Sequence, residues 1–208
     1  MRCLYGTWPD FLVYSKNIPD PYEEVVLTYQ NDVENVSPIL AFRHFPSPIG
    51  LLTAVASEHG LRAMHWEGVS DEGLEEATDH LVLNETVEQL DAYFSGTLTR
   101  FDIPLDLQGT PFQKQVWNLL RDIPYGETRS YGELAVELGD AKKVRAVGLA
   151  NGRNPVPIVV PCHRVIGKSG DLVGFGGGIE VKAFLLRLEQ QHRQPDLFFS
   201  FENSRVVK

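Results

Sequence analysis

Hydrophobic and polar positions show no sustained period over residues 1–40, and the pattern becomes regular only from Ala41. Four prolines interrupt the candidate elements of this first stretch: Pro9, Pro19, Pro21 and Pro38. Three short apolar segments follow at 42–45, 51–56 and 61–66, separated by turn sequences that end at Gly50 and Gly60. Such spacing is typical of short strands joined by tight turns. The sequence therefore predicts an irregular leader followed by a small β-meander.

A helical period replaces this pattern after the meander. Six apolar residues fall at mostly helical spacing: Leu81, Val82, Val87, Leu90, Tyr93 and Phe94. Gly96 is placed to stop this helix. A second helix is predicted to begin after Thr110, because Pro111 suits the first helical position and Gln113 can bond back to the cap. The apolar face of this second helix carries Val116, Leu119 and Leu120.

Two short helices are predicted after the turn at 124–126. Ser130 and Glu133 form a capping-box pattern that starts a helix through Leu138, and Gly139 ends it. Another helix follows at 141–150 after a very short connection, and two short helices joined this tightly resemble a helix-turn-helix. We expect the helix at 141–150 to approach DNA. A last amphipathic helix is predicted from about 180 to 190.

These elements indicate an α+β protein. The predicted fold has a small N-terminal αβ domain with a short antiparallel sheet, followed by a mainly helical C-terminal domain with a winged-helix-like helix-turn-helix. The predicted boundaries are an irregular leader at 1–40, the αβ domain at 41–108, a DNA-binding and catalytic domain at 109–191, and a tail at 192–208.

The net charge of −9 is unevenly distributed along the chain. Residues 1–109 carry 5 Lys and Arg against 18 Asp and Glu, residues 110–190 carry 11 against 8, and residues 191–208 carry 3 against 2. The cationic part can therefore face a polyanion while the acidic part faces away. An ordinary acidic, solvated surface explains the first half equally well.

The composition excludes several classes of protein. No apolar run reaches the roughly 18–20 residues that span a bilayer, and the N-terminus lacks a secretory pattern. We therefore expect no membrane partner and a cytoplasmic location, or a nuclear one in a eukaryotic source. Cys3 and Cys162 are the only cysteines, which excludes a disulfide framework and a thiolate zinc site. No metal and no cofactor are expected.

The segment around Cys162 is the strongest chemical signal. The prolines at 154–157 predict a stiff, non-helical turn, and the apolar run at 158–160 is expected to be buried. This run leads to Cys162, followed by His163 and Arg164, and these cationic neighbours can favour the thiolate. A buried structural thiol is the alternative, since adjacent side chains in an extended segment point to opposite sides.

The run Asn154-Pro155-Val156-Pro157 to Pro161-Cys162-His163-Arg164-Val165 resembles the active-site signature of the O6-alkylguanine-DNA alkyltransferases. The resemblance extends to residues 124–131, to 144–148, and to Val181-Lys182 with Glu189 in the last helix. It covers about 42–190, most strongly from Thr110 onward. The leader and the segment after Gln191 lie outside it.

The resemblance implies a catalytic set. Cys162 would accept the alkyl group, activated through a water by His163, which Glu189 would orient. A bridging water would remove the difficulty that adjacent side chains diverge. Asn154 would brace the helix-turn-helix against the active-site loop, although an ordinary turn residue before proline is the alternative.

The resemblance also implies a DNA-binding set and a pocket. Tyr131 would rotate the target nucleotide out of the duplex, Arg145 would fill the space that the nucleotide leaves, and Ser130 and Ala146 would contact DNA. On sequence alone, Tyr131 could be a packed aromatic residue and Arg145 part of a solvated helix face. The base pocket is predicted to contain Tyr131, Val165, Val173, Gly174, Phe175, Gly176 and Gly177.

The function implied by the resemblance is DNA repair by direct reversal. O6-alkylguanine in double-stranded DNA, and also O4-alkylthymine, would transfer its alkyl group to Cys162 once per molecule, and the protein is expected to be a monomer. One alternative is a noncatalytic sensor of alkylated DNA, although members of that kind replace the cysteine. A second alternative is a Cys-His hydrolase, which needs an oxyanion hole that the sequence does not reveal.

Overall fold

The computed structural model describes residues 40–66 and 75–192. The predicted leader before residue 40 and the predicted tail beyond His192 lie outside these ranges. Mixed α and β structure agrees with the predicted fold class. The first part of the described chain holds three long strands, one short strand and a helix: β1 (Ala41–Ser47), β2 (Gly50–Ser57), β3 (Gly60–Trp66), β4 (Glu75–Glu76) and α1 (Leu81–Phe94).

The sheet has the order β3-β2-β1-β4. β1 and β2 pair antiparallel with Ala41 opposite Ala56, and β2 and β3 pair antiparallel with Leu52 opposite Trp66. The meander is therefore confirmed, with each strand longer than predicted by one to three residues. β4 was not predicted, because two glutamates carry no strand pattern; it pairs parallel with β1.

Helix α1 packs its buried face against this part of the core. Leu83, Leu90 and Tyr93 are fully buried, whereas Leu81 is 83% exposed. The prediction that Leu81 belongs to the apolar face is therefore wrong, because it occupies the first position of the helix. The prediction that Gly96 ends the helix is confirmed, since Gly96 adopts a φ of 76°, which glycine tolerates without strain.

The second part of the chain begins with α2 (Pro111–Arg121). Its capping box is present as predicted: Thr110 accepts a hydrogen bond from the Gln113 backbone, and the Gln113 side chain accepts one from the Thr110 backbone. Trp117, which the sequence reading omitted, is 1% exposed, and its Nε1 donates to the Ala150 carbonyl at 2.9 Å. This bond ties α2 to the helix-turn-helix.

The helix-turn-helix consists of α3 (Tyr131–Glu137), a 3-10 turn (Ala141–Lys143) and α4 (Val144–Gly152). The capping box of Ser130 and Glu133 is confirmed. The prediction of a single α-helix over 141–150 is wrong in detail, because the first turn is 3-10 and the α-helix ends at Gly152. A short parallel pair, β5 (Arg129–Ser130) with β6 (Val165–Ile166), was not predicted.

The last described helix is α5 (Ile179–His192), one residue longer at its start and two longer at its end than predicted. Its buried face carries Leu185 and Leu188 together with two charged residues, Lys182 and Glu189. Buried charges need partners, so these two residues point to a polar site inside the core. None of the described helices is long and apolar enough to cross a membrane.

Candidate active site

A strained turn leads the chain to Cys162. Ile158 is fully buried and adopts a φ of 75°, a left-handed conformation that costs a β-branched residue about 1–3 kcal/mol. Asn154 holds the turn closed, because its Nδ2 donates to the Val160 carbonyl at 2.8 Å and its Oδ1 accepts from the Val156 backbone at 3.1 Å. Asn154 thus braces the segment that delivers the thiol.

Cys162 begins a 3-10 turn (Cys162–Arg164) and is 5% exposed. The extended geometry assumed for this segment is therefore wrong. Burial raises the pKa of the Cys162 thiol to about 11, although Asn154 and Lys182 act in the opposite direction. His163 and Arg164 do not offset this burial, and Arg164 binds Glu189 instead.

His163 and Glu189 form a fully buried pair, with Nε2 and Oε1 2.7 Å apart. Burial lowers the pKa of His163, and Glu189 opposes this effect, so the resting imidazole is neutral. A neutral ring that donates through Nε2 to a carboxylate carries its lone pair on Nδ1. Nδ1 of His163 is buried without a hydrogen-bond partner in the described part of the chain. It is therefore available as a proton acceptor.

Glu189 accepts several further hydrogen bonds. Arg164 Nε donates to it at 3.0 Å, Tyr93 Oη at 2.8 Å, and the backbone of Gly126 at 2.9 Å. Burial opposes ionisation of Glu189, but His163 and Arg164 outweigh it and lower its pKa to about 2. The carboxylate is thus a fixed negative charge beside His163.

Three of these partners of Glu189 were not predicted from the sequence. Tyr93 was read only as an apolar residue of α1, Gly126 as a turn residue, and Arg164 as a neighbour of the thiol. The position of Arg164 in the signature could have indicated its partner. A guanidinium next to a buried cysteine is itself expected to be buried, and a buried guanidinium needs a carboxylate. Tyr93 offered no such signal, because the contact joins residues 96 positions apart.

Lys182 is a further buried cation close to Cys162. Its Nζ donates to the Val165 carbonyl at 2.6 Å and to the Val173 carbonyl at 2.9 Å. Burial lowers its pKa, and Cys162 acts in the opposite direction. Lys182 therefore connects α5 to both ends of the segment that follows the thiol.

A pocket of about 510 Å³ opens between the helix-turn-helix and the glycine-rich loop. It is lined by Tyr131, Val144, Arg145, Gly148, Asn151, Gly152, Val173, Gly174, Phe175 and Gly176. We call it the outer pocket. A separate cavity of about 630 Å³, lined in part by Arg100, Arg121 and Arg164, does not include Cys162.

A smaller cavity of about 70 Å³ reaches Cys162 itself, and we call it the inner cavity. It shares Asn151, Gly152, Gly174, Phe175 and Gly176 with the outer pocket and adds Met64, Trp66, Asn154, Pro157 and Cys162. Trp66 packs edge-on against Phe175 with ring centroids 5.5 Å apart. Strand β3 thus closes the site from the N-terminal side.

The remaining residues predicted for the site lie around these two cavities. Val165 is fully buried and does not line either of them. Gly177 packs under Trp66, where a Cβ would lie 2.9 Å from the indole. Ser130 caps α3, and Ala146 is exposed on α4.

One exposed surface beside the outer pocket is basic. Lys142 and Lys143 lie on the 3-10 turn, Arg145 on α4, and Arg153 at the end of α4, all exposed. Only Arg145 among them lines the outer pocket. Cationic side chains beside a pocket suit a polyanion that presents one group to it.

Comparisons with known proteins agree with this site. Residues 111–191 match the DNA binding domain of 6-O-methylguanine DNA methyltransferase, and residues 40–107 match its ribonuclease-like domain. A methylated-DNA–protein-cysteine methyltransferase of Mycolicibacterium paratuberculosis is 49% identical over 76% of this chain and 98% of its own length. One from Methanosarcina acetivorans is 49% identical over 70% of this chain and 95% of its own length.

A solved structure gives the same result. The crystal structure of Mycobacterium tuberculosis OGT in complex with DNA superposes with a TM-score of 0.68 at 50% identity, over 73% of this chain and 94% of that one. Both matched domains, the order of elements and the geometry around Cys162 therefore lead to one conclusion: the chain belongs to the methylated-DNA–protein-cysteine methyltransferase family.

Proposed function

We propose that this protein repairs O6-alkylguanine in double-stranded DNA by transferring the alkyl group irreversibly to Cys162. The observation that carries the proposal is the position of the thiol. Cys162 lies in the small inner cavity, next to the buried pair of His163 and Glu189, and the inner cavity shares five lining residues with the outer pocket. The inner cavity suits an alkyl group, and the outer pocket suits the base that carries it.

The chemical step needs a proton acceptor, because a thiol with a pKa of about 11 is only about one part in 10⁴ thiolate at pH 7. His163 Nδ1 takes the proton through a bridging water, and Glu189 stabilises the imidazolium. Sγ then forms a bond to the alkyl carbon while the bond from that carbon to O6 breaks. The guanine leaves with the electron pair and recovers a proton, so charge and atoms balance.

The base has to leave the helix to reach Cys162, because a stacked base cannot enter a buried site. Tyr131 and Arg145, which line the outer pocket, assist this extrusion, and Arg145 fills the vacated space. Ser130 and Ala146 contact the DNA backbone near the same surface. O4-alkylthymine enters by the same route. The protein acts as a monomer. Its 109–191 domain binds DNA, and its 41–108 domain supports the site.

Each molecule acts once. A thioether is a poor leaving group, and the residues around Cys162 include no second nucleophile that could remove the alkyl group. The reaction also requires a free thiol, which a reducing compartment such as the cytoplasm or nucleus preserves.

Intact-protein mass spectrometry after incubation with an O6-methylguanine duplex tests the proposal. We expect a gain of one methyl group on Cys162, one per protein, and no gain on Cys162→Ser, which should still bind the duplex. Binding without mass gain would indicate a sensor of alkylated DNA. Many lesions repaired per protein would indicate a turnover enzyme and overturn the single-use mechanism.

A further inference from the structure

The cavity of about 630 Å³ that excludes Cys162 has no part in the proposed repair function. Three arginines from separate segments line it: Arg100 before α2, Arg121 in the last turn of α2, and Arg164 in the 3-10 turn that begins at Cys162. We call it the arginine cavity. It shares no lining residue with the outer pocket or the inner cavity. A ligand in the arginine cavity therefore does not compete with the base for lining residues.

Two of these arginines have no partner that neutralises them. Arg100 and Arg121 are exposed, and neither side chain makes a hydrogen bond or an ion pair with any residue that the structure describes. Arg164 differs, because Glu189 binds its guanidinium through Nε and Nη2. Asp122 is the one acidic residue among those that line the cavity. The arginine cavity therefore has a positive potential that favours an anion.

Arg100 is unusual in its part of the chain. The acidic first half carries 5 Lys and Arg against 18 Asp and Glu. The structure describes three of these five cations, and two of them bind an acceptor: Arg43 binds Asn84, and Arg62 binds Asp106. Arg100 has no such acceptor among the described residues and lines the arginine cavity instead. A cation left unpaired among so many acids indicates an anion that does not come from the described chain.

The other lining residues suit a nucleotide. Thr99 and Asn118 add polar side chains that bind no described residue. Phe101 and Tyr125 add aromatic rings, and nucleic-acid bases stack on such rings. The volume of the cavity lies within the range of about 300–1,000 Å³ that small-molecule sites occupy. Guanidinium groups bind phosphate through charge-assisted hydrogen bonds, so the cavity combines groups for a phosphate with groups for a base.

We propose that the arginine cavity binds a phosphate-bearing ligand of nucleotide size, with Arg100 and Arg121 binding its phosphate and the aromatic rings contacting its base. This site goes beyond the proposed repair function and does not depend on it. Arg164 adds to the positive potential while it stays bound to Glu189. One side chain therefore separates the ligand from the carboxylate that pairs with His163.

Isothermal titration calorimetry with adenosine monophosphate tests the proposal. We expect Arg100→Gln/Arg121→Gln to bind adenosine monophosphate about tenfold more weakly than the wild type, or worse, because both charged partners of the phosphate are lost. Arg153→Gln/Arg187→Gln is the control with the same change of charge. Both of its arginines are exposed and line none of the three cavities, so its affinity should match that of the wild type. Adenosine, which lacks the phosphate, should bind the wild type about tenfold more weakly.

Three results would overturn the proposal. Equal affinity in the wild type and in Arg100→Gln/Arg121→Gln would show that the nucleotide binds elsewhere, and equal affinity for adenosine and its monophosphate would show that phosphate is not recognised. Binding of unmodified duplex, but not of the nucleotide, through these two arginines would show that the cavity contacts the DNA backbone instead. Circular dichroism checks the folding of the double variant, and the two single variants replace it if it does not fold. Methyl transfer is measured separately, so the proposed repair function and the nucleotide site fail independently.

Discussion

Burial at a single residue controls when Cys162 reacts. The thiol has a pKa of about 11 because it is removed from water, and the groups that could lower this pKa do so only in part. A thiol in this state resists oxidation and chance alkylation, which are reactions of the thiolate. A protein that can act only once therefore keeps its nucleophile protonated until His163 takes the proton.

This protection has a measurable pH dependence. We expect carbamidomethylation of Cys162 by iodoacetamide, in a Cys3→Ser background and without DNA, to be slow at pH 7 and to rise tenfold per pH unit toward a midpoint of about 11. Peptide mass spectrometry gives the rate at each pH. A midpoint near the ordinary cysteine value would contradict the claim that burial governs the resting thiol.

Tyr93 is the second residue whose effect can be isolated. Its hydroxyl donates to Glu189 Oε1 at 2.8 Å, and the nearby Tyr125 hydroxyl is buried without a hydrogen-bond partner among the described residues. Removing the Tyr93 hydroxyl takes one donor from the carboxylate, so the Glu189 and His163 pair should take up a proton at higher pH. Tyr93→Phe should therefore lose activity at a higher pH than the wild type on the acid side.

Tyr125→Phe is the matched control, because it removes a hydroxyl from an adjacent ring, 6.0 Å away between centroids, without removing a bond to Glu189. Single-turnover methyl transfer measured from pH 5 to 9 separates the two variants. An identical acid limb in Tyr93→Phe and Tyr125→Phe would show that Tyr93 only packs.

Helix α4 combines two tasks at the scale of elements. Gly148 and Asn151 line the outer pocket, while Arg145 in the first turn and Arg153 just after the last residue are exposed. Arg145 lines the pocket and Arg153 does not, although both are exposed and equally charged. Arg153 is therefore a control for Arg145. Comparing the two separates filling of the space left by the base from general attraction to phosphate.

We expect Arg145→Ala to slow repair of an O6-methylguanine duplex about tenfold or more while changing repair of the single-stranded oligonucleotide much less. Only the duplex loses stacking and pairing when the base leaves, at a cost of a few kcal/mol. Arg153→Ala should weaken binding to both substrates alike and in a salt-dependent manner. Equal losses on duplex and single strand for Arg145→Ala, measured as single-turnover rates, would remove the filling role.

Elements whose determinants are local in sequence could be predicted. The capping boxes at Thr110 and Ser130 contain their donors and acceptors within four residues, and both form as predicted. β4, β5 and β6 were missed because each is two residues long and is defined only by a distant partner. The 3-10 turn at Ala141–Lys143 was missed because Asp140 caps it where an α-helix was expected.

The candidate site was likewise predictable only where its determinants are local in sequence. The resemblance identified the residues of the signature, but the burial of Cys162, the redirection of Arg164 and the contribution of Tyr93 depend on how α1 and α5 pack together. The arginine cavity was missed because its three arginines come from separate segments of the chain.

At the scale of the whole molecule, the reaction should change stability. The inner cavity of about 70 Å³ holds roughly two groups the size of water, so a methyl group fits and a benzyl group overfills it. Overpacking costs about 1–3 kcal/mol, which lowers the melting temperature by about 2–12 °C in a chain of this size. Methylated protein should therefore melt close to the unreacted protein, and benzylated protein should melt lower.

Differential scanning fluorimetry of protein reacted to completion with O6-methylguanine, O6-butylguanine or O6-benzylguanine duplexes measures this order, after removal of the DNA. Protein incubated with unmodified duplex is the reference. A melting temperature that is unchanged for all three groups would contradict the steric argument and leave the transfer reaction itself intact.

The position of Glu189 on the last described helix also has a consequence for synthesis. Glu189 follows Cys162 by 27 residues, and Lys182 follows it by 20. A ribosome that adds about 5–20 residues per second therefore synthesises the cysteine roughly 1–5 s before its carboxylate partner. During that interval the nascent chain has a cysteine but no relay to activate it. The relay that activates the thiol is thus completed only when the last described helix has been synthesised.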